Sequence, residues 1–480
     1  MMNLIKTKTN RSSKRSAPKH LMSFSILLAL VFSSSVMALE TRVSTKFTRN
    51  CKALGITAAQ FKALPKRKVR ANSELFVKRL TRAQELMGNE KYPEALEALT
   101  PMMDKYKTKP YSLAQVYQFT GFVYSSQSKF KEAIKYFEKS INLNVLPYRV
   151  DQKNMMMVGR LHAAVENYTE SERYIKKWFT RAVKPDSSSY EALANAFLQQ
   201  NKFKQGICPL FNSLKNWYPE EARKQKSYEA RVAKAIEEEK PAPKLRKAQK
   251  PKKQWFRLLF TLHFQLKDLK GGINIMKAGL QHYTDEKIFW TQMGLVYSQM
   301  EDFKNSTASY ALALRLDLLK TGGDFRTLAS NYASIDVPYK AAQVMELGLK
   351  NGAIEPKKSN WDATAGNWQR AQELGNAARA YAKTAEIEGT GKYYILQGDV
   401  FLRMEKFNDA VGAYRNALEK GKLKKNDEGR AYLNMGITLT NSGKYRTALT
   451  ALEKALRYKK QKRAAQQWIA YTKNKLDTQS

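Results

Sequence analysis

Two cysteines, Cys51 and Cys208, and three of the four histidines, His162, His263 and His282, are the residues best equipped for chemistry. A histidine needs a carboxylate, a cysteine or a second histidine at a fixed spacing to hold a metal or act as a base. None of the three sits in an HExxH pattern and no cysteine neighbours them. His162 falls at a large-residue position of a helical pattern, which favours packing. The cysteines have no metal-type spacing. In an oxidising compartment they can pair, and closing so long a loop would stabilise the fold by roughly 5 kcal/mol. They can equally stand as two separate thiols. There is no G-x-S-x-G, no phosphate-cradling glycine loop and no dinucleotide fingerprint. Gly271-Gly272 and Gly322-Gly323 lie where helices begin or end. Glu238-Glu239 lies in a charged, solvated run. No catalytic constellation results, so the chain is expected to be no enzyme and to need no metal and no cofactor.

What must position these residues is a pattern that recurs every 33 to 38 residues. Its clearest copies start at Tyr117 (YQFTGFVYSSQSKFKEAIKYFEKS), Trp290, Tyr394 and Tyr432. Each carries a Gly and, twelve residues on, a small residue: Gly121 and Ala133, Gly294 and Ser306, Gly398 and Ala410, Gly436 and Ala448. Tyr117 and Tyr124, seven apart, share one helix face. Polar residues between Ser125 and Lys129 interrupt the apolar period and mark a turn. The spacing predicts two antiparallel helices that meet closely where side chains are small. Extending the register gives ten anchors: Ala95, Ala133, Ser171, Gly206, Gly272, Ser306, Ala341, Ala377, Ala410 and Ala448. The pattern resembles the tetratricopeptide repeat, a helix–turn–helix unit of about 34 residues. That resemblance implies an all-α solenoid, a right-handed superhelix of about ten repeats in two halves, which binds partners rather than transforming them.

The resemblance also implies where a protein partner would sit, because the first helix of each unit lines the inner surface. The matching positions include Gln118, Phe122 and Ser125 in the second repeat and Lys153, Met156 and Arg160 in the third. They include Thr291, Leu295 and Gln299 in the sixth and Asp399 and Arg403 in the ninth. This mixed polar and apolar set suits a peptide or protein groove.

Residues 1–38 read as a cleaved signal peptide. Six basic residues precede a mostly apolar stretch, Leu21 to Phe32, and Val36-Met37-Ala38 gives a small-residue cleavage pattern. The apolar run is too short for a span of about 20 residues, so the mature chain is expected to have no transmembrane span and to work in the periplasm. Residues 39–75 form an N-terminal helical segment, 76–220 repeats one to four, 221–252 a basic Pro-containing linker, 253–458 repeats five to ten, and 459–480 a closing helix and tail. In that tail Trp468 and Tyr471 pack back on the last repeat.

The chain holds 84 Lys and Arg against 43 Asp and Glu, a net charge of +41, and +35 once the six basic residues of the leader are removed. Such a balance favours acidic partners: an acidic or envelope-associated protein, or peripheral contact with an anionic membrane or lipopolysaccharide. Nucleic acid becomes an unexpected partner if the leader exports the chain. The leader, the basic charge, the segment CKALGITAAQF (Cys51 to Phe61) and the long irregular array together resemble the periplasmic tetratricopeptide-repeat accessory of Gram-negative Ton energy-transduction systems. The resemblance implies a scaffold that helps couple inner-membrane energy to outer-membrane uptake of iron–siderophore or haem. Two other readings are an envelope-assembly or peptidoglycan-associated adaptor and a cytosolic nucleic-acid-binding array.

Overall fold

A computed structural model describes residue 45 and residues 47–478; the leader assigned to residues 1–38 lies outside them. Among the described residues there are 22 helices and no strand, with one isolated bridge between Ile56 and Val183. After the short α1 (Ala58–Lys62) the helices pair into ten hairpins. These are α2 (Glu74–Gly88) with α3 (Tyr92–Lys105), α4 (Pro110–Ser126) with α5 (Phe130–Asn142), and α6 (Tyr148–Ala164) with α7 (Tyr168–Phe179). Next come α8 (Ser187–Leu198) with α9 (Phe203–Glu237) and α10 (Lys253–Gln265) with α11 (Leu269–Leu280). Then come α12 (Lys287–Gln299) with α13 (Phe303–Arg315), α14 (Gly322–Ser334) with α15 (Pro338–Lys350), and α16 (Lys358–Arg370) with α17 (Leu374–Glu388). The last are α18 (Lys392–Arg403) with α19 (Phe407–Lys420) and α20 (Lys425–Asn441) with α21 (Tyr445–Ala455), closed by α22 (Lys462–Asp477).

The helices form because their apolar residues recur on one face. In α5 the buried set is Ala133, Ile134, Phe137, Ser140 and Ile141, while the charged residues face outward. Fully burying Phe137 contributes about 2 kcal/mol of transfer free energy. All ten anchor residues lie on second helices and are buried. The close approach is not the one the spacing suggested. The glycine of the first helix faces the large residue sixteen positions on, not the small one at twelve. A Cβ on Gly159 would lie 2.6 Å from Ile175, and one on Gly398 2.6 Å from the Tyr414 ring. The small residue at twelve lets the second helix come near enough for that ring or branch to enter.

Each hairpin turns the same way. Glu90, Ser128, Glu166, Asn201, Lys267, Glu301, Asp336, Gln372, Glu405 and Gly443 each stand two residues before a second helix with positive φ, from 56° to 77°. The following amide closes back on the first helix, as Lys129 N does on the Tyr124 carbonyl (3.0 Å) and Lys406 N on that of Phe401 (3.0 Å). This is a Schellman closure that satisfies an otherwise orphaned carbonyl. Nine of the ten turns use a residue with a side chain there, at about 1–2 kcal/mol each.

The described residues form two compact units, divided between His282 and Tyr283. The first holds hairpins one to five, so the fifth hairpin groups with the first four rather than with those that follow. The first half of the expected linker is helical, because α9 continues to Glu237, and residues 238–252 lack regular structure. Ala, Glu, Lys, Arg and Gln dominate 221–237 and are strong helix formers, and the next proline is Pro241. The expected N-terminal helical segment differs in the other direction. Among the described residues before α2, only the five of α1 are helical. In the second unit α22 covers the last hairpin through Ala465 and Thr472, whose hydroxyl meets that of Thr440 (2.8 Å). Trp468 is half-buried and Tyr471 is half-exposed, so they are not the main packers.

Candidate functional site

Residues 45–73 precede the first hairpin in sequence but lie along the second to fifth. The segment runs backward against the array. Asn72 bonds Ser112 (2.8 Å) and Gln115 (2.6 Å) of α4. Arg67 pairs with Asp151, donates to the Leu146 carbonyl (2.6 Å) and Asn144, and lies 4.1 Å over the Tyr148 ring. Ile56 N donates to the Ala182 carbonyl (2.8 Å) ahead of α8. Leu54 N donates to the Tyr190 hydroxyl (2.7 Å), and Asn212 of α9 donates to the Lys52 carbonyl (3.0 Å). Cys51 is joined to Cys208 by a disulfide that spans 157 residues. Finally Thr45 meets His263 at the end of α10 (3.1 Å). His263 Nδ1 lies 2.8 Å from the Leu259 carbonyl. A carbonyl can only accept, so Nδ1 carries the proton and Nε2 accepts from the Thr45 hydroxyl. Burial holds this imidazole below its ordinary pKa.

Backbone and charge fix the segment at two points. Gly55 has φ +101°, and a Cβ there would meet the Ala182 carbonyl at 2.6 Å. Asp151 is 1% exposed. Burial raises its carboxyl, and Arg67 pulls it back only in part.

The segment walls a cavity of about 790 Å³ in the first unit. Ala58, Phe61 and Lys62 of α1 form one side. Phe122 of α4, Arg149, Lys153, Met156 and Arg160 of α6, Trp178 of α7 and Asp186 and Ser188 of the α8 start line the rest. Phe61, Phe122, Met156 and Trp178 give an apolar floor. Among the described residues Lys62, Arg149 and Lys153 make no ion pair, and Arg160 donates to the Ser188 hydroxyl (3.1 Å). Asp186 is the acidic group of the lining and is already occupied: it caps α8 through Ser189 N (2.9 Å). Burial would raise its carboxyl, but bonds from Ser189 and Ser188 and the charge of Arg160 hold it below the usual range. The arrangement can therefore take an extended chain with an apolar side chain between acidic ones.

Of the residues expected to face a partner, Phe122, Lys153, Met156 and Arg160 come together here. Gln118 instead donates to Asn154 (2.9 Å), and Ser125 is half-buried at the end of α4, outside the cavity lining. In the second unit Thr291, Leu295 and Gln299 share one face of α12. Thr291 bonds the Lys287 carbonyl (3.1 Å), and Leu295 is 52% exposed. Asp399 accepts from Tyr414 (2.7 Å), Arg430 (2.5 Å) and Asn434 (2.8 Å), which makes it an internal strut. Arg403 donates to Gln372 (2.9 Å) and lines a separate cleft of about 640 Å³ with Arg370. The expected N-terminal helical segment contains α1, but sequence reasoning did not bring Lys62 or Arg149 to this cavity.

His162 stacks on Tyr174 (5.6 Å) and faces Glu138 (3.4 Å), and a Glu170 oxygen lies within 4.8 Å of both ligand atoms. Glu170 is already held by two bonds from Arg173 (2.5 and 2.8 Å), whose charge opposes a cation there. Among the described residues no helix is long and apolar enough to cross a membrane.

Tetratricopeptide-repeat models match residues 114–144, 289–318 and 395–457. No curated protein matches the chain. The solved structures it resembles include MamA, at 18% identity over 37% of this chain and 94% of that one, TM-score 0.29. Another is a tetratricopeptide-repeat protein from Parabacteroides merdae, at 12% identity over 59% and 98%, TM-score 0.30. Yeast Tom70 is similar at 10% identity over 85% and 96%, TM-score 0.26. At these values nothing about partners transfers. The chain carries tetratricopeptide repeats, stacked as helical hairpins in each of its two units.

Proposed function

We propose that the protein is an exported, non-catalytic scaffold that holds an extended acidic segment of a partner protein along α4, α6 and α8, beneath α1. The observation that carries this reading is the cavity with an apolar floor and, in its lining, three cations without an ion pair among the described residues, Lys62, Arg149 and Lys153. The disulfide supports an oxidising compartment, and with the leader of residues 1–38 it favours the periplasm. The resemblance drawn from the sequence takes the reading further, to an accessory of a Ton-type system in the uptake of iron–siderophore or haem.

The test is a photo-crosslinking side chain at Met156 in cells, followed by identification of what is captured. An envelope protein with an acidic extended segment is expected, and its capture should fall when Lys62, Arg149 and Lys153 are changed together to Gln. Ribosomal proteins alone, or capture indifferent to those three changes, would end the reading. For the Ton role, deleting the gene should slow growth on a scarce iron–siderophore source. Unchanged uptake removes that role while leaving the scaffold intact.

A further inference from the structure

Beyond Tyr218, helix α9 continues to Glu237 although only Glu221 and Ala235 are buried on that stretch. The chain then folds back along it. Arg246 donates to Glu221 (2.5 Å) and Gln225 (2.9 Å), and Gln249 N donates to Glu221 (2.9 Å). Residues 221–253 hold twelve Lys and Arg against five Glu. Arg223, Ser227 and Arg231 are spaced four apart on one helix face. With Lys224 and Arg246 they line a cleft of about 390 Å³. The acid in its wall, Glu220, is occupied by Ser187 N (2.8 Å), and Arg246 is spent on Glu221. Among the described residues Arg223, Lys224 and Arg231 make no ion pair. Like charges gathered around one cleft repel unless an anion sits among them.

The same arm exposes two large aliphatic side chains, Ile236 (62%) and Leu245 (82%), and Leu245 is the most exposed large hydrophobic among the described residues. Neither belongs to the groove. An anion in solution would answer the cations and leave these side chains in water. A lipid interface answers both, with phosphates at the arginines and the acyl boundary at the aliphatics. We propose that this arm docks on the surface of an anionic phospholipid bilayer. The Arg223–Lys224–Arg231 cleft takes lipid phosphates, and Leu245 and Ile236 enter the headgroup–acyl boundary.

The test is co-sedimentation of the full chain with vesicles of phosphatidylcholine carrying about a third phosphatidylglycerol, at low salt, where each basic residue near the surface contributes about 1 kcal/mol. The double variant Arg223→Gln/Arg231→Gln should bind about thirty-fold more weakly. Lys459→Gln/Lys460→Gln removes the same charge from exposed positions elsewhere and should bind nearly as the parent does. Leu245→Asp should weaken binding with both arginines in place. Helix content and melting temperature check that each variant folds. No binding of the parent chain, equal loss in the Lys459/Lys460 control, or an unchanged Leu245→Asp variant overturns the proposal. So does a cleft that takes inorganic phosphate or an RNA homopolymer while the vesicles stay unbound.

Discussion

Hairpins two to five and hairpins six to ten are built from one repeat, but they are secured differently. Along the former, residue 45 and residues 47–73 lace from Ser112 to His263 and are fastened on the way by the Cys51–Cys208 disulfide. Among the described residues the latter are held by contacts between adjacent hairpins and closed by α22. Nearest-neighbour packing makes a solenoid's stability a sum of local terms. A lace that touches four hairpins couples them, so the first unit is expected to open as one body where the second opens piecemeal.

The largest effect should come from cutting the lace. Replacing Cys51 and Cys208 with Ser is expected to cost the first unit about 5 kcal/mol, from the freedom regained by so long a loop. Hydrogen exchange should rise across hairpins three to five and stay unchanged in hairpins six to ten. Equal loosening of both units would erase the contrast. Next, Arg67→Ala leaves the Asp151 charge buried and alone, at about 4 kcal/mol. Because burial raises the Asp151 carboxyl, that deficit should shrink as pH falls and the group takes up a proton. Denaturant melts at two pH values check the sign, and a deficit that grows on acidification refutes the burial argument.

A smaller loss, about 2 kcal/mol, is expected from Gly55→Ala, which puts a Cβ against the Ala182 carbonyl at positive φ. At the turns the sign reverses. Glu166→Gly in the first unit and Glu301→Gly in the second should each stabilise by about 1 kcal/mol, since both sit in the left-handed region. A gain in one unit only would mean that the turns are not equivalent. The smallest effect is at His263, whose pKa is lowered in the fold. A depressed imidazole contributes stability that is present above its ordinary pKa and lost as pH falls toward the folded value. Protection from exchange at residues 47–56, relative to the intrinsic rate at each pH, should therefore fall on acidification, and less so in a His263→Gln variant.

The hairpins were legible because Gly121, Ala133 and Phe137 repeat their spacing along the chain, and packing demands that period. The weak copies at Gly272, Ala341 and Ala377 fell into register because each second helix needs a small residue at the same depth. The lace was not legible. Arg67, Gly55 and Thr45 act one at a time through carbonyls and single side chains, and no period announces them. The groove was half legible. Helix geometry put Phe122, Lys153 and Arg160 on faces that meet at one cavity, but nothing in the repeat says that Asp399 would be claimed by Tyr414, Arg430 and Asn434. The extent of α9 was hidden because charge and nearby prolines suggested a loose connector where helix propensity won.

The disulfide also sets an order of events. The chain is made from its amino end, so Cys51 emerges well before the segment that bears Cys208. The first thiol must wait, uncommitted, while the intervening hairpins are still being delivered. A product that stops short of the second thiol can never be locked, which makes oxidation a check that the first four hairpins have all arrived.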